Sequence, residues 1–299
     1  MNKTNVLFGF ALAFWGGCTS PPVDSPPGRI EILVSIPPQK QFVEAVGGEF
    51  VRVHVLIPPG ASPATYEPRP ADLIRVEEAD VYFRVGYIGF ELANKSRLSA
   101  LNPRMRMVDT SAGVPLRHFD KPDPPEASEV HTHPEIVDPH VWLSPLNVKQ
   151  QVLRVAAVLG ELSPEHKQYF TANAQAYSAR LEELHQDLTE RLSVLNSRSL
   201  LVFHPAWGYF TDTYGLEQIA IEQAGKDPTA EKLKDVIEEA RASGIRVIFV
   251  QEEFSRETAR SIAQEIHGAV VSIDPLAEDY IRNLRSVGRT LARYLGSKE

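Results

Sequence analysis

The stretch Ser163-Pro164-Glu165-His166-Lys167-Gln168-Tyr169-Phe170 continues for 32 residues beyond Pro164, to Asn196, without a glycine or a second proline. Ser163 suits an N-cap and Pro164 the first position of a helix. Tyr177, Leu181, Leu184, Leu188, Leu192 and Leu195 then recur at steps of four and three, which marks one apolar stripe. At about 1.5 Å per residue such a helix reaches roughly 50 Å, enough to run the length of two lobes. A coiled-coil seam is the competing reading. The run covers fewer than four heptads, however, and is flanked by strand–helix alternation rather than by more heptads. The stretch predicts a spine.

Working outward, the β-rich runs Leu200–Phe203, Gln218–Ile221, Val247–Val250 and Val270–Ile273 alternate with helical patterns at Glu231–Ala242, Ser255–Glu265 and Glu278–Leu295. Before the spine, Ile30–Ile36, Val51–Ile57 and Val81–Val85 alternate with helix-compatible stretches at Gln39–Val46 and Pro70–Ala79. Such alternation implies parallel α/β sheets. The two halves differ in texture, since 19 of the 23 prolines lie at or before Pro145. The predicted fold class is α/β, with an N-terminal lobe over 29–162, a linking helix over 163–197 and a C-terminal lobe over 198–299.

Composition narrows the chemistry. The chain has 299 residues, 43% hydrophobic and 23% charged, so it can bury a real core. Its net charge of -8 is the wrong sign for coating a phosphate backbone, which argues against nucleic acid as a partner. The only cysteine, Cys18, excludes an internal disulfide framework, a cysteine-rich zinc site and a CxxC redox centre. Lys3 followed by the apolar run Val6–Trp15 and Gly16-Gly17 reads as an export signal over 1–17. A run of about ten apolar residues is too short for a membrane span, which needs roughly 20. Small residues before a lone cysteine resemble a bacterial lipoprotein signal, implying acylation of Cys18, although Trp15 departs from the usual small aliphatic residue. Residues 18–28, rich in proline, read as a tether.

Ligands of parallel α/β sheets bind at the carboxyl ends of strands. His204 follows the Leu200–Phe203 run and precedes Pro205; Asp274 follows Val270–Ile273 and precedes Pro275; His140 stands in Asp138-Pro139-His140-Val141-Trp142-Leu143, ahead of the helix opened by Ser144-Pro145. A neighbouring proline limits the backbone freedom of each. Two imidazoles and a carboxylate suit Zn²⁺ and also accept Mn²⁺ or Fe²⁺. Taken singly, each has a structural alternative, a hydrogen-bonded core histidine or a capping aspartate.

With these residues in place, the chain resembles the metal-binding subunits of bacterial ABC importers for zinc and manganese, the ZnuA/TroA-like solute-binding proteins of cluster A-I. The resemblance covers roughly Ile30 to Leu295. It rests on Pro58-Pro59-Gly60-Ala61-Ser62-Pro63-Ala64-Thr65-Tyr66-Glu67-Pro68, on Asp138 through Pro145, on Phe203-His204-Pro205-Ala206-Trp207-Gly208-Tyr209-Phe210 and on Ser272-Ile273-Asp274-Pro275-Leu276. It implies two parallel-sheet lobes joined by a long rigid helix, one metal ion in the interlobe cleft, and His140, His204 and Asp274 as ligands. It also implies extracytoplasmic capture of a divalent transition metal, zinc first, by a lipid-anchored monomer serving an inner-membrane ABC permease, with no enzymatic turnover.

One departure stands out. The family's first histidine ligand normally occupies a Pro-His-x-Tyr-Glu-Pro segment, and this chain has Pro63-Ala64-Thr65-Tyr66-Glu67-Pro68. Water, His131, His133 or Glu67 are the candidates for the fourth place, His131 and His133 lying in a Pro-rich acidic loop over 118–135. Two further readings stay open: a surface adhesin or interaction lipoprotein with a degenerate metal site, and a zinc-dependent hydrolase. The hydrolase reading finds no HExxH helix in support.

Overall fold

A computed structural model describes residues 28–119, 137–222, 228–251, 254 and 256–296. Cys18, His131 and His133 lie outside the described residues. In chain order the first lobe contains β1 (Ile30–Val34), α1 (Pro37–Gly47), β2 (Val51–Val55), α2 (Pro70–Glu78), β3 (Val81–Arg84), α3 (Gly89–Leu101) and β4 (Arg106–Asp109). Two helices, α4 (Pro145–Leu162) and α5 (Lys167–Ser193), lead to the second lobe. That lobe contains β5 (Ser199–Val202), α6 (Gly208–Tyr214), β6 (Glu217–Ala220), α7 (Ala230–Ala242), β7 (Val247–Val250), α8 (Arg256–Glu265), β8 (Ala269–Ser272) and α9 (Tyr280–Leu295).

Both sheets are parallel throughout and share one strand order, β2-β1-β3-β4 and β6-β5-β7-β8. The central strands β3 and β7 are buried along their whole length, as expected of strands covered on both faces. In each sheet the winding reverses between the first and third strands, which opens a crevice at their carboxyl ends. Three elements escape the sequence patterns. Strand β4 is an edge strand whose four residues begin and end with charge, α6 has only seven residues, and α3 spreads its apolar residues without a clean stripe.

The spine differs from expectation at its start. Pro164–His166 form a 3-10 turn and the α-helix begins at Lys167, running 27 residues. The cause is local: the Ser163 hydroxyl donates to Glu165 Oε1 at 2.5 Å and does not cap a backbone amide, while the His166 ring stacks on Phe50 with centroids 3.8 Å apart. The expected stripe is buried, with Leu181, Leu184 and Leu188 fully inaccessible. It packs against α4, α9 and α1. Beside it, Tyr177 donates to Gln41 Oε1 at 2.9 Å, and the same oxygen accepts the Tyr280 amide at 3.1 Å. Phe42 meets Tyr280 edge to face at 5.0 Å, and Lys40 pairs with Glu278 at 2.5 Å. The first lobe, the spine and the last helix are thus locked at one junction.

The carboxyl edge of the first sheet is closed by a buried carboxylate. Glu91 accepts from Val85 N at 2.7 Å, from Gly86 N at 2.5 Å and from the Ser35 hydroxyl, which also bonds Tyr82 Oη at 2.8 Å. Burial pushes its pKa up to about 6, and the amide and hydroxyl donors limit the rise.

Close packing of the spine is testable. A Cβ on Gly288 would lie 2.5 Å from Leu188 Cδ2. Gly288→Ala is expected to cost about 1–3 kcal/mol through overpacking, and Leu188→Ala about 2–5 kcal/mol through a cavity. Because the two changes relieve one another, the double variant should lose clearly less than the sum in equilibrium urea denaturation.

Candidate metal centre

His140 stands between β4 and α4, held by the sequence around it. The buried Asp138 carboxylate accepts both the His140 amide at 3.0 Å and His140 Nδ1 at 2.8 Å through Oδ1. A 3-10 turn over Val141–Leu143 follows, and Trp142, itself buried, donates its indole N–H to Pro275 O at 2.7 Å. Tyr280 Oη donates to Trp142 O at 2.7 Å. The loop that carries His140 is therefore fastened to the loop that carries Asp274 and to the start of α9.

His204 follows β5 in the second lobe. Its Nδ1 lies 3.0 Å from Oε2 of Glu222, a buried residue just past the end of β6. Its ring stacks on Phe254 at 4.9 Å and 20°. The His140 and His204 rings approach to 5.3 Å between centroids, at 75°. The structure thus brings together two of the three expected ligands, one from each lobe.

The hydrogen bonds decide which imidazole atoms are available. An ionised carboxylate only accepts, so each Nδ1 carries a proton, and in the neutral form of the ring the lone pair lies on Nε2. Carboxylate–histidine pairing of this kind orients metal-ligating imidazoles and raises their basicity. Burial holds the His140 imidazole below the ordinary histidine range, opposed by Asp138, so the ring is neutral and able to ligate at neutral pH. In both carboxylates the second oxygen, Asp138 Oδ2 and Glu222 Oε1, is buried without a hydrogen bond.

Asp274 occupies the loop after β8, as expected. Its Oδ1 caps Leu276 N at 2.7 Å and its carbonyl accepts Asn283 Nδ2 at 2.5 Å. Among the described residues, no three His, Cys, Asp or Glu side chains converge tightly enough to enclose an ion. His140 and His204 face each other, and the Asp274 loop is joined to the His140 loop through Trp142 and Pro275. Glu67 is exposed, and Ala64 is exposed on the same loop beside the start of α3, where its carbonyl would lie 3.4 Å from a Cβ on Gly89. Tyr66, next to Glu67, donates to Asp72 at 2.6 Å and belongs to the cap of α2. Of the other histidines, His54 pairs with Glu31 at 3.2 Å and His185 contacts Tyr214 at 3.4 Å, both away from the cleft pair.

Two carboxylates that hold the histidines were missed in the sequence. Glu222 obeys the rule that found His204 and Asp274, a polar residue immediately past a strand run, and was legible on that ground. Asp138 stood inside a quoted motif, but which imidazole nitrogen it would meet is a matter of backbone turn.

Two parallel-sheet lobes on a helical spine, with carboxylate-held imidazoles from both lobes facing each other, define a two-lobed metal-binding solute receptor. The family model described as "Zinc-uptake complex component A periplasmic" matches residues 32–294. A crystal structure of a ZnuA deletion mutant with zinc bound is 38% identical, with a TM-score of 0.82, covering 91% of this chain and all of that one. The solute-binding protein FpvC from Pseudomonas aeruginosa, in complex with Mn²⁺, is 27% identical with a TM-score of 0.75, covering 89% of this chain and 98% of that one. The zinc-binding protein AdcA of Streptococcus pyogenes is 26% identical over 261 residues, 83% of this chain, which spans about half (51%) of that protein. The chain belongs to the ZnuA family of periplasmic metal-binding solute-binding proteins. Members of the family are non-enzymatic metal binders, which sets the hydrolase reading aside. No helix among the described residues is long and apolar enough to cross a membrane.

The outer carboxylates give a direct test. Glu222→Gln keeps the shape and an acceptor oxygen at His204 Nδ1 but removes the charge. Metal affinity is expected to fall about 10- to 100-fold, with the melting temperature of the metal-free protein nearly unchanged; equal affinity would remove Glu222 from the site.

Proposed function

We propose that the chain captures a divalent transition metal outside the cytoplasm, zinc foremost with Mn²⁺ or Fe²⁺ as alternatives, and delivers it to an ABC permease of the inner membrane. The observation that carries this reading is the facing pair His140 and His204, each with Nδ1 held by a buried carboxylate and Nε2 left to ligate. Two imidazoles with one carboxylate form a ligand set suited to Zn²⁺. Asp274 is the carboxylate, positioned by the Trp142–Pro275 bond. The fourth place, vacated at Ala64, goes to water, His131, His133 or Glu67. Residues 1–17 are the export signal, Cys18 carries the acyl anchor, 18–28 are the tether, and the receptor works as a monomer.

Release is eased by the same arrangement. Where water takes the fourth place the ion keeps an exchangeable position, and no general base is needed because the cargo leaves unchanged.

The soluble protein from Ser20 onward, stripped with chelator, is titrated with Zn²⁺ and Mn²⁺ against a competing indicator while its melting temperature is followed. One-to-one binding is expected, and metal at about 1,000 times Kd should add about 4 kcal/mol of stability. His204→Ala and Asp274→Ala should each abolish most of that stabilisation, whereas an unchanged metal response in either would refute its assignment. Absence of binding to the unmodified protein would refute the function.

Ala64→His probes the missing ligand. Restoring an imidazole there should tighten zinc binding by about tenfold or more, roughly 1.4 kcal/mol, in the same competition titration. A neutral outcome would mean that the fourth place is already filled by another group.

A further inference from the structure

His140 and His204 come from different lobes, so neither sheet alone sets the distance between their rings. Arg117, in the segment after β4, touches the support of both. Its carbonyl accepts Asp138 N at 2.9 Å, and its own amide donates to Tyr209 Oη at 2.8 Å. The Tyr209 hydroxyl in turn donates to Asp138 O at 3.2 Å. Tyr209 lies on α6, the helix that begins just after His204, while Asp138 is the carboxylate on His140 Nδ1.

The guanidinium repeats the bridge. Arg117 Nε donates to Asp212 Oδ2 on α6 at 3.2 Å, and Nη1 lies 3.5 Å from Asp138 Oδ2, the buried oxygen without a hydrogen bond. The group lies directly over Gly208: a Cβ there would stand 2.7–2.8 Å from Nε, Cζ and Nη1. The glycine that opens α6 is thus the one residue that admits this close approach. Asp212 is exposed and its pair contributes little by itself. Asp138 is fully buried, so the cation that faces it matters more. The planar guanidinium holds Nε and Nη1 in a fixed relation toward the two carboxylates, whereas a lysine ammonium is a compact charge without that rigid fork.

We propose that Arg117 is the positioning residue that fixes the spacing of His140 and His204 across the lobes and so sets the affinity and coordination geometry of the metal site. This rests on the metal-capture reading above. Arg117 does not touch the cargo; it acts through Asp138 on one ligand and through α6 on the other.

The test uses Arg117→Ala, Arg117→Lys and Asp212→Asn in the soluble protein. Three quantities are read: zinc affinity by competition, the visible absorption of the Co²⁺-loaded protein as a report of ligand geometry, and the melting temperature without metal. Arg117→Ala should weaken zinc binding about 10- to 100-fold and change the Co²⁺ spectrum. Arg117→Lys should keep much of the stability yet fail to restore that spectrum, and Asp212→Asn should shift it part of the way. A zinc affinity and Co²⁺ spectrum equal to the unmodified protein in Arg117→Ala, whatever the melting temperature, would overturn the proposal. If Arg117→Ala does not fold, an unaltered spectrum in both other variants overturns it equally. Should the unmodified protein take up neither ion, the metal-capture reading fails, and the spacing is read from the imidazole nitrogen shifts of the metal-free protein. Joint changes at His140 and His204 in the variants would then support Arg117's role, and unchanged shifts would overturn it.

Discussion

The burial of one face of α5 is the constraint on which everything else depends. Leu181, Leu184, Leu188 and Leu192 are removed from water between α4, α9 and α1, and each such side chain contributes roughly 1.5–3 kcal/mol relative to exposure. Since those three partners serve different parts of the molecule, the stripe holds two separately wound sheets in one fixed relation. A site assembled from both lobes needs that fixity, because interatomic distances for metal ligation tolerate errors of only a few tenths of an ångström.

Upon this frame the loops that carry His140 and Asp274 are tied to one another rather than left to their sheets. Trp142 reaches Pro275, Tyr280 reaches back to Trp142, and Gln41 joins Tyr177 to the start of α9. The polar groups at the carboxyl edges are paired in the same spirit: Glu91 takes the free amides at the end of β3, while Asp138 and Glu222 take the two imidazoles. Buried carboxylates are costly unless they accept hydrogen bonds. Their placement behind the two histidines converts that cost into orientation of the imidazoles.

Much of this was legible in the chain. The alternation of β-rich runs with helical patterns located seven of the eight strands among the described residues, and the stripe from Tyr177 to Leu195 located the spine, because hydrophobic periodicity is imposed by burial whatever the neighbours are. The rule that polar residues just past strand ends face the crevice singled out His204 and Asp274, and the Asp-Pro-His-Val-Trp segment singled out His140. The same logic missed β4, whose four residues are too few and too charged for a pattern, and placed the start of the spine three residues early, since the Ser163 hydroxyl bonds to Glu165 and not to the backbone.

The sequence by itself determined two parallel α/β lobes, the helix between them, and the residue types from which a borderline-soft cation site can be built. These are properties of periodicity and of local order, and they are written along the chain. Tertiary structure alone decided that His140 and His204 face one another at 5.3 Å, that Asp138 and Glu222 claim their Nδ1 atoms, and that Arg117 sits between the two supports. The physical reason is that these contacts, the two-residue Asp138–His140 turn excepted, join segments from 18 to about 95 residues apart. Their distances follow from how two sheets pack around one helix, which no local pattern encodes.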